Sequence, residues 1–224
     1  MALPSSFSSG TPPGCSSLTG MQDVPPGGLD RKTLRAELLR RRRALAPAEW
    51  EQASAAVQRR VLALPEWHAA RTVALYVAAR NEISTDALLR AAWAHGKQVL
   101  LPRCLPTSAG EGIMAFVPCR SYEDLQPGAF GLLEPRPELS ALPREALPKG
   151  FQLELMLIPA VGISPQGARL GYGKGFYDRI LALPGWNAAR RLALVHAFQI
   201  ADFPAGPLDV PVHGYATEKE LVWL

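Results

Sequence analysis

The sequence predicts one α/β domain organised around a parallel sheet, with ligands at the carboxyl ends of the strands. Three observations carry this. Short apolar runs that read as strands alternate along the chain with longer segments of helical spacing. One such run, Leu153–Pro159, passes through a glycine-rich stretch directly into a helical segment. A length of 224 residues with 48% hydrophobic content suits a single sizeable core.

Residues 1–28 hold six serines, five glycines and five prolines with one charge, Asp23. Such a segment buries too little apolar surface to offset its chain entropy, so a disordered tail is expected ahead of a domain spanning 29–224. Asp30 is the expected N-cap of a first helix, with Leu34, Leu38 and Leu45 on or near one face. Pro47 at a first-turn position opens a second helix through Trp50, Val57 and Val61 to Leu64. Arg71–Ala78, alternating at Val73, Leu75 and Val77, is the first core strand. A helix over Ala87–His95 follows, capped by Ser84 or Thr85. Gln98–Leu101 is a second strand ending at Pro102-Arg103, and Ile113–Val117 a third. The proline-rich stretch Pro127–Pro148 is expected to be irregular, draped over the surface or the site. Leu153–Pro159 is a buried strand, and the helix Phe176–Leu183 stops at Pro184-Gly185. Arg191–Val195 is another strand, and Tyr215–Val222 a last turn and strand.

Composition narrows the function. No apolar run approaches a membrane span, and no signal-peptide pattern opens the chain. Three cysteines, Cys15, Cys104 and Cys119, are an odd number without metal-ligand spacing and suit a reducing cytoplasm. His68, His95, His196 and His213 form no paired ligand motif. The net charge of +4 is local: residues 31–43 carry seven cations and one acid, the rest of the chain 17 cations against 19 acids. A nucleic-acid binder spreads basic surface over a face with aromatics interleaved, which is not the pattern here.

The stretch Gly167-Ala-Arg-Leu-Gly-Tyr-Gly-Lys-Gly-Phe-Tyr-Asp-Arg179 organises the rest. Bare backbone at Gly171, Gly173 and Gly175 lets a ligand approach closely, and Arg169 and Lys174 supply charge suited to phosphate oxygens. Two familiar phosphate motifs fail. The dinucleotide pattern needs a small residue where Phe176 stands, and the P-loop needs glycine at Ala168 and a hydroxyl at Gly175. A glycine-rich turn with two solvated cations remains the plain alternative, and spacing alone does not choose.

Arg169-Leu-Gly-Tyr-Gly-Lys-Gly-Phe-Tyr-Asp-Arg179, following an apolar strand and Pro159-Ala-Val-Gly162, resembles the glycine loop of the 5-formyltetrahydrofolate cyclo-ligase family. The resemblance spans about residues 31–220 and implies a three-layer α/β/α fold around a mainly parallel sheet. It implies an ATP- and magnesium-dependent enzyme that converts 5-formyltetrahydrofolate to the 5,10-methenyl form by phosphorylating the formyl oxygen. Arg31-Lys32-Thr33-Leu34-Arg35 is similar to the family's N-terminal ATP segment, with Arg31 where lysine is common. Arg169, Leu170, Gly171, Tyr172, Gly173, Lys174, Gly175, Phe176 and Tyr177 match its second ATP segment. Lys174 and Arg169 are thereby implied as the charge-stabilising catalytic groups. Val77 and Glu82 match folate-contacting positions, and Tyr172 through Phe176 also lie against the substrate in the family; Phe176 stands where tyrosine is frequent. Leu101-Pro-Arg103 is similar to a strand-end segment near the ligands. Asp178 and Asp209 match magnesium ligands, with His213 where a further aspartate is usual.

Each match has a plainer reading. Glu82 on its own reads as a helix-start acid, Asp178 as a first-turn acid, and Asp209 as a turn residue before Pro211. No Ser–His or Cys–His arrangement stands out, which agrees with chemistry done by positioning and charge. A non-catalytic nucleotide- or RNA-binding module, or a sugar-phosphate isomerase of related fold, are the alternatives. A monomer acting on a small molecule, with no nucleic acid and no membrane, is the expectation.

Overall fold

Period-two alternation sets the layers of the fold. The structure, a computed structural model, describes residues 30–105, 112–128 and 132–224. The expected tail over 1–28 lies outside these. Five parallel strands form the centre: β1 (Thr72–Ala74), β2 (Gln98–Leu105), β6 (Leu155–Pro159), β9 (Arg190–Leu194) and β10 (Gly214–Ala216). Antiparallel β3 (Ile113–Cys119) and β11 (Leu221–Trp223) close the two edges, giving the order β11-β10-β9-β6-β1-β2-β3. Val73, Leu75, Leu155, Leu157, Leu192 and Leu194 point to one face. There they meet α2 (Pro47–Leu62), α3 (Pro65–Ala69) and α4 (Asp86–Ala94) through Val57, Val61, Trp67, Leu88 and Leu89. Ala74, Leu100, Met156, Ile158 and Ala193 point to the other face, against Ile180 and Leu181 of α5 (Phe176–Leu181) and Trp186. Helices therefore cover both faces of one mainly parallel sheet. This is the three-layer arrangement the sequence suggested.

Chain order across the parallel strands reverses between β1 and β6. To one side of that point the chain moves to β2, to the other to β9 and β10. Crossovers leave such a point on opposite faces, opening a crevice at the strand carboxyl ends. α1 (Arg31–Arg43) lies over this end. Its Leu34 and Leu38 pack with Val161, Ala168, Leu170 and Phe203, around the short hairpin of β7 (Gly162–Ile163) and β8 (Arg169–Leu170).

Several boundaries differ from expectation for clear reasons. β1 pairs only through Ala74, with one further bond from Leu75 N to Leu100 O, rather than running to Ala78. Residues beyond it bend to form the crevice wall, held where Tyr76 Oη donates to Ile83 O and Thr85 Oγ1 to Tyr76 O. Because β1 has left, β2 beyond Leu100 has β3 as its strand partner, so Pro102, which lacks a donor, sits mid-strand and β2 runs on to Leu105. α5 stops at Leu181 rather than Leu183. The proline-rich stretch includes β5 (Leu133–Pro135), paired with β4 (Leu125–Pro127), before it drapes. Its later part is pinned to the sheet where Leu142 N donates to Phe116 O and Trp186 Nε1 to Arg144 O. The final stretch is two strands, β10 and β11, and α3 and the β7–β8 hairpin were too short for a periodic signal.

Trp186 is fully buried, stacks on Phe116 with ring centroids 5.2 Å apart, and holds the draped segment. Trp186→Ala should cost roughly 3–5 kcal/mol of unfolding free energy, read by denaturant titration. A loss under about 1 kcal/mol would show that neither the stack nor the strap matters.

Candidate functional site

The crevice at the switch point is built from four segments. The first is the turn after β1, where Arg80 and Asn81 take the left-handed conformation, φ 52° and 59°. Two successive left-handed residues are costly outside glycine, so surrounding bonds must hold them. Glu82 N donates to Ala79 O, and Ala79 N to Glu82 Oε2, closing the turn on itself. Trp50 Nε1 of α2 donates to Glu82 O, and His196, just past β9, contacts Asn81 O through Nε2. Ser54 and Gln58 of α2 take the next N–H groups, of Ser84 and Ala87. Thr85 occupies the cap position of α4, but its hydroxyl is spent on Tyr76.

The second segment is the glycine loop. Gly173 and Gly175 have φ of 95° and 63°, conformations a side chain rarely adopts. Tyr172 spans from this loop to the turn: its ring is exposed, yet its hydroxyl donates to Glu82 Oε1 at 2.7 Å. Glu82 is only 8% exposed. Burial pushes its carboxyl above the usual range, while Arg42 and the Tyr172 hydroxyl pull it back. Tyr172 in turn is pushed up to about 12 by burial and the neighbouring carboxylate, so it stays a neutral donor. Val77 lies half-buried on the approach to this turn, packed on the core.

The third segment is α1. Asp30 caps it as expected, accepting from Lys32 N and Thr33 N. Arg35 Nε donates to Gly171 O at 2.8 Å and so ties the helix to the glycine loop. Arg31 pairs with Asp209 at 2.7 Å and donates to Pro204 O. Lys32 and Thr33 are exposed; Leu34 and Leu170 put their side chains into the small core under the helix, so they support the site rather than face it.

The fourth segment joins α5 to the loop before β10. Arg169, 4% exposed, pairs with Asp178 at 2.8 Å, while Val210 N donates to the other Asp178 oxygen at 3.4 Å. The two proposed metal-ligand segments are therefore neighbours, and each acid is held by an arginine: Asp178 by Arg169, Asp209 by Arg31. Arg169 Nε is buried without a partner among the described residues. Tyr177 sits under Arg169 and edge-on to Phe116, as part of the core. Phe176 lies beneath Arg179, whose Nη1 braces the Lys174 carbonyl. Lys174 itself is exposed, and its ammonium meets no partner among the described residues.

These features suit a nucleotide phosphate chain. A bare-backbone arch, one lysine without a partner among the described residues and two arginines nearby form a cationic cradle. The carboxylates of Asp178 and Asp209, on neighbouring segments, are of the type and number that magnesium takes from protein. Since α5 has only six residues, the cradle depends on those cations and backbone N–H groups more than on a helix dipole. Among the described residues no group of three His, Cys, Asp or Glu side chains is placed to hold a metal by itself.

Comparison with known proteins gives the family. The family model described as the 5-formyltetrahydrofolate cyclo-ligase family matches residues 28–218. The chain belongs to that family. A relative from Escherichia coli named 5-formyltetrahydrofolate cyclo-ligase is 29% identical over 184 residues, covering 82% of this chain and 97% of its own. Another of that name, from Mycolicibacterium smegmatis, is 32% identical over 195 residues, covering 84% and 94%. Among solved structures, a 5,10-methenyltetrahydrofolate synthetase from Aquifex aeolicus superposes with a TM-score of 0.71 at 27% identity, over 86% of this chain and 92% of that one.

Within this cyclo-ligase family member, sequence reasoning missed Arg42. Its signal was present: Leu34, Leu38 and Arg42 recur every four residues, so an arginine occupies the next position of the apolar stripe of α1. In Leu101-Pro-Arg103, Arg103 donates to Arg136 O of the draped segment. His196, one of the four histidines without a paired ligand motif, is buried and has a task. Burial lowers its pKa, opposed by its bond to Asn81 O. An unfolded histidine binds a proton more readily, so this contribution to stability is intact above about pH 6.5 and is lost as pH falls below it. The unfolding free energy of the wild type minus that of His196→Gln should be flat near neutrality and shrink below about pH 6.5. A difference that stays constant down to about pH 5 rules this out.

Proposed function

We propose that this chain converts 5-formyltetrahydrofolate to 5,10-methenyltetrahydrofolate, using ATP and magnesium and releasing ADP and phosphate. The observation that carries the reading is the 2.7 Å bond between Tyr172 and Glu82. It joins the two segments assigned separately, one to nucleotide and one to folate, in a single crevice. A nucleotide on the glycine loop and a pterin at Glu82 are then neighbours.

ATP supplies the phosphoryl group that turns the formyl oxygen into a leaving group, after which N10 attacks the activated carbon and phosphate departs. The chain's residues position and neutralise. Arg31, Lys32, Thr33 and Arg35 form one wall of the nucleotide site and the loop from Arg169 through Phe176 the other, with Leu34, Leu170 and Tyr177 seating the two walls from the core side. Lys174 and Arg169 offset charge on the transferring group. Asp178 and Asp209 would hold magnesium, which would offset the phosphate charge, and Arg169 and Arg31 beside them would favour the phosphate oxygens. Glu82 accepts N–H donors of the pterin, Val77 packs on the ring, and Tyr172 to Phe176 close over it. The protein works as a cytoplasmic monomer on a small molecule, with no nucleic acid or membrane partner. Free thiols at Cys104 and Cys119 are compatible with a reducing compartment.

A single-turnover assay on 5-formyltetrahydrofolate, with and without ATP, is the direct test. Methenyl product only with ATP supports the reading. Nucleotide binding without product would indicate a non-catalytic module, and turnover of a sugar phosphate without ATP an isomerase.

Lys174→Ala should lower turnover on the order of ten- to a thousand-fold and weaken ATP binding more than folate binding, because its ammonium is free to meet a phosphate. Arg179→Ala should cost less, since Arg179 braces the loop rather than facing the ligand. Equal activity of Lys174→Ala and wild type would remove the cradle. Asp178→Asn and Asp209→Asn should each raise the magnesium concentration for half-maximal turnover. Asp178→Asn should also cost roughly 1–3 kcal/mol of stability, because the buried Arg169 loses its charged partner. Unchanged magnesium titrations in both variants discard the metal assignment.

A further inference from the structure

The buried guanidinium of Arg42 has no role in the proposed chemistry, yet it is 1% exposed and contacts both the Glu82 turn and Tyr172 of the glycine loop. Its Nε donates to Arg80 O at 3.0 Å, holding the left-handed turn. Nη1 reaches Ala160 O, past the end of β6, at 3.4 Å. Nη2 donates to the Tyr172 hydroxyl and stands 3.8 Å from Glu82 Oε1. Its own carbonyl accepts from Asn81 Nδ2 at 3.1 Å. One side chain thus links the last turn of α1, the turn after β1, the strand across the switch point and the glycine loop.

Resting on the folate role given above to Glu82, we propose that Arg42 is the positioning residue of the folate pocket: it fixes the Glu82 turn and holds the carboxylate charged, with one oxygen left for the ligand. The geometry makes the assignment. Glu82 Oε2 is taken by Ala79 N inside the turn, so Oε1 is the oxygen that the turn's own backbone leaves to other partners. In the ligand-free protein Oε1 is shared between the Tyr172 hydroxyl and the Arg42 charge. A pterin presenting N–H donors replaces the tyrosine at that oxygen while Arg42 remains behind it. A carboxylate this deeply buried accepts such donors well only if a cation stays beside it. The groups facing Glu82 are Arg42 from α1, Arg80 from its own turn, Tyr76 after β1, Tyr172 from the glycine loop and Tyr177 from α5; of these, Arg42 is the one buried cation. Arginine is required for its fork: three oxygens on three segments cannot be reached together by a lysine ammonium.

The experiment separates this from a purely structural role. Arg42→Met, Arg42→Lys and Glu82→Gln are compared for the Michaelis constants of 5-formyltetrahydrofolate and ATP. The Glu82 carboxyl is titrated by NMR in ligand-free protein with labelled glutamate. Arg42→Met should raise the folate constant about tenfold or more with the ATP constant within about twofold, and should move the Glu82 titration to higher pH. Arg42→Lys should restore most of the titration but only part of the folate affinity. In the Glu82→Gln background, Arg42→Met should add less than about twofold, because its target is already gone. The proposal is overturned if the Glu82 titration does not move in Arg42→Met, or if that change costs the same factor with and without the Glu82 carboxylate. If Arg42→Met does not fold, Arg42→Lys decides: folate affinity equal to the wild type rejects the fork. If Glu82→Gln leaves folate affinity unchanged, the folate role of Glu82 fails instead, while the ligand-free titration still decides whether Arg42 governs that carboxylate.

Discussion

A single desolvated guanidinium fixes the architecture of the crevice. Burying an arginine is tolerable only when its donors are met, and Arg42 meets carbonyls from two segments, a phenol from a third and a carboxylate. Those partners come from positions 80, 82, 160 and 172, so the cost of the buried charge is offset only when all of them assemble. The strained turn at Arg80 and Asn81 is one consequence. It persists because Arg42, Trp50 and His196 each take a carbonyl of that turn.

The sheet supplies the place for this assembly. With β1 leaving after Ala74 and β6 after Pro159, two chain segments depart from adjacent strands in opposite directions. The gap between them is filled from above by α1, whose Leu38 would meet any side chain at position 162; bare backbone at Gly162 lets the helix lie that close. Placing α1 there brings Arg31 and Arg35 beside the glycine loop and the Asp209 segment. The basic helix that looks like a solvated face in one dimension is the roof of the site in three.

Ion pairs at the crevice have a second aspect. Arg31 with Asp209 and Arg169 with Asp178 keep four charged groups compensated in the ligand-free protein. Under the proposed function, a polyphosphate and its cation would supply the opposite partner to each, so exchange of partners would need little change in overall charge burial. Phe176 keeps its ring under the Arg179 guanidinium, at the edge of the glycine loop.

Much of this was legible in one dimension. Alternating apolar positions fixed which residues face which layer, since a strand has period two whatever its neighbours are. The glycine loop with Lys174 and Arg169 marked a candidate phosphate site, while residue type alone left a solvated turn open. The order of the segments identified the family. Other features needed the third dimension. Strand lengths were misjudged because an end such as Ala74 is set by where the partner strand leaves, not by its own side chains. The β7–β8 hairpin is two residues a side, below any periodic signal. Arg42 stood in a run of four arginines that the sequence could not tell apart. Only the packing of α1 on the switch point turned one of them inward, because at that position the four-residue stripe of Leu34 and Leu38 meets the carbonyls of Arg80 and Ala160 and the Glu82 carboxylate instead of apolar side chains.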